Sequence, residues 1–196
     1  MAKRLRRIHD AFGWMANHGS PIPAGPFCSY NSGVQVFVPS TDYAECAACL
    51  DTRRLGKQLL ECALILNILY DVPKKDGGKR TAWLNHPATL QWKFWPGALA
   101  RYADAIADES DRRGLRTEAL REQIKGFTRE GSLPIWWGDE KVHSSHRSRL
   151  LQKSPEHYSQ FDWKEGKAKD LAEHRYWWAI PDDNGKGYRL ERRGKG

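Results

Sequence analysis

The chain has 196 residues, enough for one compact domain with tails, and its 40% hydrophobic content can fill a core. No apolar run approaches the roughly 18 residues of a membrane span, and no apolar signal core follows the basic N-terminus, so the expectation is a soluble, cytoplasmic protein. Lys and Arg total 32 against 24 Asp and Glu, a net charge of +8 that favours polyanionic partners, nucleic acid first.

Residues 1–33 read as a basic N-terminal extension and linker, a short basic helix followed by the Pro/Gly/Ser connector "SPIPAGPFCSYNSG". "VQVFVP" (34–39) is a β-like run that Pro39 ends. Ser40, Thr41 and Asp42 carry capping chemistry, with Glu45 three residues after Asp42, and predict a helix to Leu50 that breaks or bends near Gly56. A second segment, Arg53 to Tyr70, sets Leu55, Leu59, Cys62, Leu66 and Leu69 on one stripe. "DVPKKDGGKR" (71–80) is a loop by composition. After "WLNHP" a helix is expected over 88–113, with Leu99, Tyr102, Ala103 and Ile106 on its apolar face and Pro96 kinking or restarting it. A shorter helix over 117–127, the aromatic loop "GSLPIWWGD" and a basic helix from Asp139 to about Lys153 follow. "HRYWWAIP" (174–181) is the last coherent element, and 182–196 reads as a basic, flexible tail. The predicted class is mainly α with little β structure, as one domain over 34–181.

Four cysteines make no disulfide framework. Cys46 and Cys49 form a C-x-x-C, but "YAECAACLD" is helical and Ala-rich and has no second pair downstream, so these thiols read as small core residues, not zinc ligands. Nine Trp include "WKFW" (92–95), "WW" (136–137) and "RYWW" (175–178). Most read as core, although aromatics beside cations also suit base stacking with phosphate contact.

Three constellations carry chemistry. In "LDTRRLGKQLLE" (50–61), Arg53, Lys57 and Glu61 follow at helical spacing with Arg54 nearby, and Gly56 removes a side chain beside the cations. The segment is either a solvated helix face with a Lys57–Glu61 pair or a face built to meet phosphate. In "WGDEKVHSSHRSRLLQK", His143, His146, Arg147 and Lys153 lie at helical neighbours and read as phosphate donors. A metal site of Asp139, His143 and His146 is the competing reading, lacking the glutamate base usual between two histidines. "LNHP" offers Asn85 and His86 in a turn, with Asn85 also able to cap the next helix.

The stretches "VQVFVPSTDY…CLDTRRLGKQ", "WLNHP", "LPIWWGD..VHSSHRSRLLQKSPEHY" and "YWWAIP" together resemble, in order, the pyrimidine-dimer DNA glycosylase family over roughly residues 34–181. The resemblance implies a compact helical fold that kinks double-stranded DNA and displaces a base from the stack. It implies an amine that attacks the sugar C1′, base release through a Schiff base, and strand cleavage by β-elimination, with no metal or organic cofactor. A carboxylate stabilises the cationic sugar and moves protons. Two departures stand out. The family's nucleophile is the amino group of a mature N-terminus, which matches a position near Gly33–Val34 here, and its catalytic glutamate falls by ungapped alignment close to Arg54. Basic positions transfer better, Arg53 and Lys57 among them. The expectation is therefore a base-excision enzyme, a glycosylase with AP-lyase activity on a damaged or modified pyrimidine, in which Lys57 supplies the amine and Asp51 or Glu61 the carboxylate. Arg53, Arg54, Asn85, His86, His143, His146, Arg147 and Lys153 would contact DNA. Three competitors stay open: a hydrolytic glycosylase that activates water, a DNA-binding protein that keeps the scaffold without the reaction, and a metal-dependent nuclease using Asp139, His143 and His146.

Overall fold

The structure is a computed structural model, and it describes residues 34–192. These begin with Val34 to Val38, whose residues 35–38 are buried although they join no sheet. A buried backbone must find hydrogen-bond partners, and here side chains supply them. The Phe37 amide donates to Gln58 Oε1 at 3.0 Å, and the Tyr102 and Tyr176 hydroxyls donate to the carbonyls of Phe37 and Val36. The Val38 amide donates to His146 Nδ1 at 2.8 Å, while His143 Nδ1 donates to the Val38 carbonyl at 2.6 Å. The β-like run is thus threaded through the core and held from three helices and from Tyr176, just before the C-terminal hairpin.

Helix α1 (Tyr43–Cys49) starts on Asp42, whose carboxylate accepts from the Glu45 amide at 2.8 Å. Its partner Glu45 does not close the box onto Asp42; the Ser40 hydroxyl donates to it instead. The chain breaks at Leu50 and Asp51, not at Gly56, because Leu50 turns extended into the core and Asp51 caps α2 (Thr52–Leu69). Gly56 lies inside α2. The predicted stripe holds through Leu66: Leu55, Leu59, Cys62 and Leu66 are wholly buried, each leucine contributing about 1.5–3 kcal/mol, while Leu69 is partly buried against the core.

The helix expected over 88–113 is two. Helix α3 (Pro87–Gln91) ends at Trp92, and α4 (Pro96–Arg112) restarts at Pro96, the residue whose missing amide suits a first turn. Its face of Leu99, Tyr102, Ala103 and Ile106 is buried, chiefly against α2. Helices α5 (Glu118–Ile124), α6 (Glu140–Lys153) and the short α7 (Pro155–Tyr158) follow, then two 3-10 turns at Lys164–Lys167 and Leu171–Glu173. Four of the eight described tryptophans, Trp92, Trp95, Trp136 and Trp178, are core.

The expectation of a flexible tail is corrected over 188–192. Strand β1 (Trp177–Pro181) pairs antiparallel with β2 (Tyr188–Arg192), in a register that sets Trp177 opposite Arg192 and Pro181 opposite Tyr188. The turn is written in "DDNGKG": the carboxylate of Asp182 and the amide oxygen of Asn184 accept from the Lys186 amide, and Gly185 takes φ +68°. The described domain is mainly α with this one two-stranded sheet. The expected basic extension, residues 1–33, lies outside the described residues.

Candidate active site

Glu61 lies on the face of α2 that looks toward the threaded segment. It is 5% exposed, and three positive or donor groups surround its carboxylate. Lys57 Nζ stands 3.4 Å from Oε1, the Gln35 backbone amide hydrogen-bonds to it, and Lys153 acts on it through space. Burial pushes the Glu61 carboxyl up to about 7, against the opposing pull of Lys57, the Gln35 amide and Lys153. A carboxyl at that value exchanges a proton near neutral pH, as a general acid–base requires. The Lys57 side chain is half exposed.

The same helical face continues beyond Glu61. Leu64, Ile65 and Ile68 lie three, four and seven residues further on, and they wall a cavity of about 220 Å³ together with Val34, Thr89 and Trp83. Lys74 and Arg80 also line it. Val34 joins the two parts, since the next residue, Gln35, meets Glu61. Trp83 holds φ +72° and is 46% exposed, with Leu84 beside it 45% exposed. For a bulky residue the left-handed region costs of order 1–3 kcal/mol, and such outliers gather at functional sites.

The other expected site residues divide sharply. Arg53 is exposed, one residue along from the paired Arg54. Asp51 cannot serve as the free carboxylate: it caps α2, is ion-paired to Arg54, and accepts from the Tyr158 hydroxyl at 2.8 Å. Burial acts to raise its carboxyl, but hydrogen bonds from Arg54 and Tyr158 outweigh this and hold it below the usual range. Arg54, half-buried over the Tyr158 ring, is spent on the same cluster.

His143, His146 and Arg147 are corrections. Both histidines are buried, and burial lowers the pKa of each, that of His146 far below 6.5. A neutral ring is what the Val38 clasp needs, since His146 Nδ1 must accept there. His143 is fully used, accepting from the Gly138 amide at Nε2. Arg147 reaches inward to the Pro39 carbonyl and to Glu140 and Glu165, the last 2% exposed. None of the three presents itself to a phosphate. Asp139 caps α6 and accepts from the Tyr188 hydroxyl, so Asp139, His143 and His146 are each bound elsewhere and do not converge as metal ligands. Lys153 stays with the Glu61 centre. Asn85 is exposed in its turn, and the cap on α3 comes from His86, whose Nδ1 accepts from the Ala88 amide while its ring contacts those of Trp83 and Trp178. The thiols of Cys46 and Cys49 donate to backbone carbonyls, and burial raises the pKa of both.

Gln35, Val34 and Trp83 escaped the sequence reading. The spacing of 64, 65 and 68 on the helical face of 57 and 61 was the available signal for the cavity wall. Nothing local marks Gln35, because its part in the site is a backbone amide.

Compared with known proteins, residues 34–123 match the family model described as pyrimidine dimer DNA glycosylase. That stretch contains the threaded segment, Lys57, Glu61 and Trp83. No curated protein and no solved structure matches the chain. No helix among the described residues is long and apolar enough to cross a membrane.

Proposed function

With a chain that carries the pyrimidine dimer DNA glycosylase pattern over residues 34–123 as the premise, we propose a base-excision enzyme. It acts on a damaged or modified pyrimidine in duplex DNA, with Lys57 as the attacking amine and Glu61 as acid and base. The observation that carries this reading is a buried carboxyl, poised at about 7, with a half-exposed ammonium 3.4 Å away, on the helix whose following turns wall a cavity.

Lys57 must give up a proton to attack, and the Glu61 carboxylate is placed to take it. As Nζ bonds to the sugar C1′, the bond from C1′ to the base breaks, and the base leaves with a proton that protonated Glu61 can supply. Nζ then passes a further proton to O4′ as the C1′–O4′ bond breaks, which opens the sugar to an iminium and makes the C2′ hydrogen acidic; Glu61, again a carboxylate, removes it, and the C3′–O bond breaks to cut the strand. Water then hydrolyses the Schiff base and frees the lysine. A displaced base needs an apolar, partly aromatic receiver, and the cavity against Trp83 supplies one.

Borohydride treatment of the full chain with a duplex bearing a cyclobutane dimer or an abasic site tests this. A covalent adduct mapping to Lys57, lost in Lys57→Ala and reduced at least about 100-fold in rate in Glu61→Gln, is the expected result. An adduct on another amine overturns the role of Lys57. Base release with no adduct turns the reading to activation of water by Glu61, and binding without turnover on any lesion turns it to a scaffold that only binds DNA.

A further inference from the structure

A second cavity, about 270 Å³, lies between the N-terminal part of α6 and the C-terminal hairpin. Lys141, Ser144 and Ser148 line it from α6, Arg175 and Trp177 from the approach to β1 and β1 itself, and Arg192 from the last residue of β2. The Trp177 ring holds two of the three cations: Lys141 Nζ and Arg192 Cζ each sit 4.6 Å from its centroid. The hairpin register explains this, since Trp177 and Arg192 are direct partners across the strands. Lys141, Arg175 and Arg192 are in no ion pair among the described residues, whereas the other arginine of β2, Arg189, is neutralised by Glu191. Glu173 is the one carboxylate lining the cavity.

The rest of the wall is stiff. Ser148 Oγ and His174 Nδ1 are hydrogen-bonded at 2.8 Å, His174 reaches Asp170 at 3.2 Å, and Ser145 Oγ accepts from the Trp177 amide at 3.1 Å. Ser148 is buried, so the Ser148–His174–Asp170 chain positions the wall and presents no nucleophile. Three cations held around a rigid polar cavity, two of them fixed by an aromatic face, are what a phosphate oxygen cluster needs.

We propose that this cavity binds a backbone phosphate of the DNA on which the Glu61 centre acts, as a second anchor. The assignment rests on the DNA reading above. Helix α6 links the two sites: Lys141 stands in its first turn and Lys153, beside Glu61, is its last residue. That separation is about 18 Å along the helix axis, or about five nucleotide steps of one strand. The anchor would therefore hold DNA outside the lesion itself.

The test is binding of the full chain to an undamaged fluorescent duplex, measured by anisotropy over a range of salt. Such binding can be read whether or not any base is released, so failure of the anchor and failure of the glycosylase reading are told apart. The expected result for Lys141→Ala/Arg175→Ala is affinity about tenfold lower at low salt, with the slope of log K against log salt smaller by about 0.9. Arg192→Ala should move both in the same direction. Lys125→Ala, which removes an exposed cation paired with Glu122 on α5, is the control and should change neither. Unchanged affinity and slope in the double variant overturn the proposal. So does protection of the cavity by inorganic phosphate, at constant ionic strength, with no loss of DNA binding, which would assign it to a small free anion.

Discussion

Replacing Glu61 with Gln should change how stability depends on pH, by an amount the site itself fixes. The carboxyl rises from 4.5 to about 7 on folding, chiefly because it is buried. At 1.36 kcal/mol per pH unit, ionising it costs the folded state about 3 kcal/mol more than the unfolded chain. Between pH 4.5 and 7 the folded protein holds a proton at Glu61 that the unfolded chain has already released, so the wild type loses stability across that window as pH rises. Glutamine cannot ionise. Buried His146 and His143 pull the other way: their pKa values are lowered by folding, so their contribution is complete above 6.5 and is lost as pH falls below it. The wild-type profile alone therefore mixes opposed slopes, and the difference between variant and wild type is the quantity to read. Denaturant unfolding at pH 4.5, 6 and 8 should show Glu61→Gln gaining about 3 kcal/mol on the wild type from the lowest pH to the highest. Any fixed offset from altered packing cancels in that comparison. A difference that stays flat with pH would mean that Glu61 ionises as freely as in water, and the acid–base role would lose its physical basis.

Two further outcomes follow from the packing and from the cavity. A methyl group at Gly97 would stand 1.8 Å from the Glu130 carbonyl oxygen, so Gly97→Ala should cost at least about 2 kcal/mol in a denaturant melt; a neutral result would mean that the loop at 129–130 does not press on the start of α4. Trp83→Ala removes an exposed ring and should leave stability within about 0.5 kcal/mol. It should weaken binding to lesion-bearing duplex by about tenfold, from 1–3 kcal/mol of lost base stacking, while binding to undamaged duplex is kept; equal loss on both would place Trp83 outside the base-receiving role.

Local chemistry determined much of this protein. Capping at Asp42 and Asp139, the leucine stripe of α2, the apolar face of α4 and the restart at Pro96 are each written within a few residues, because helix periodicity and helix ends depend on near neighbours. The pairing of Lys57 with Glu61 is of the same kind, one helical turn read directly. Even the closing hairpin has its signal in Asn184–Gly185, set within a basic, Gly-rich composition that by itself suits a flexible tail.

Tertiary structure decided what the polar residues are for. His143, His146 and Arg147 look like phosphate donors on a basic helix, yet the unpaired backbone of Val36 to Val38 and the Pro39 carbonyl need hydrogen-bond partners, and side chains more than a hundred residues away provide some of them. Asp51 and Glu61 are both carboxylates framing the same basic stretch. One is saturated by Arg54 and Tyr158 and stays acidic; the other is buried beneath the Gln35 amide and rises to about 7. Spacing sets which residues share a face, whereas burial and the partners brought from distant segments set their charge, and only the folded chain supplies those.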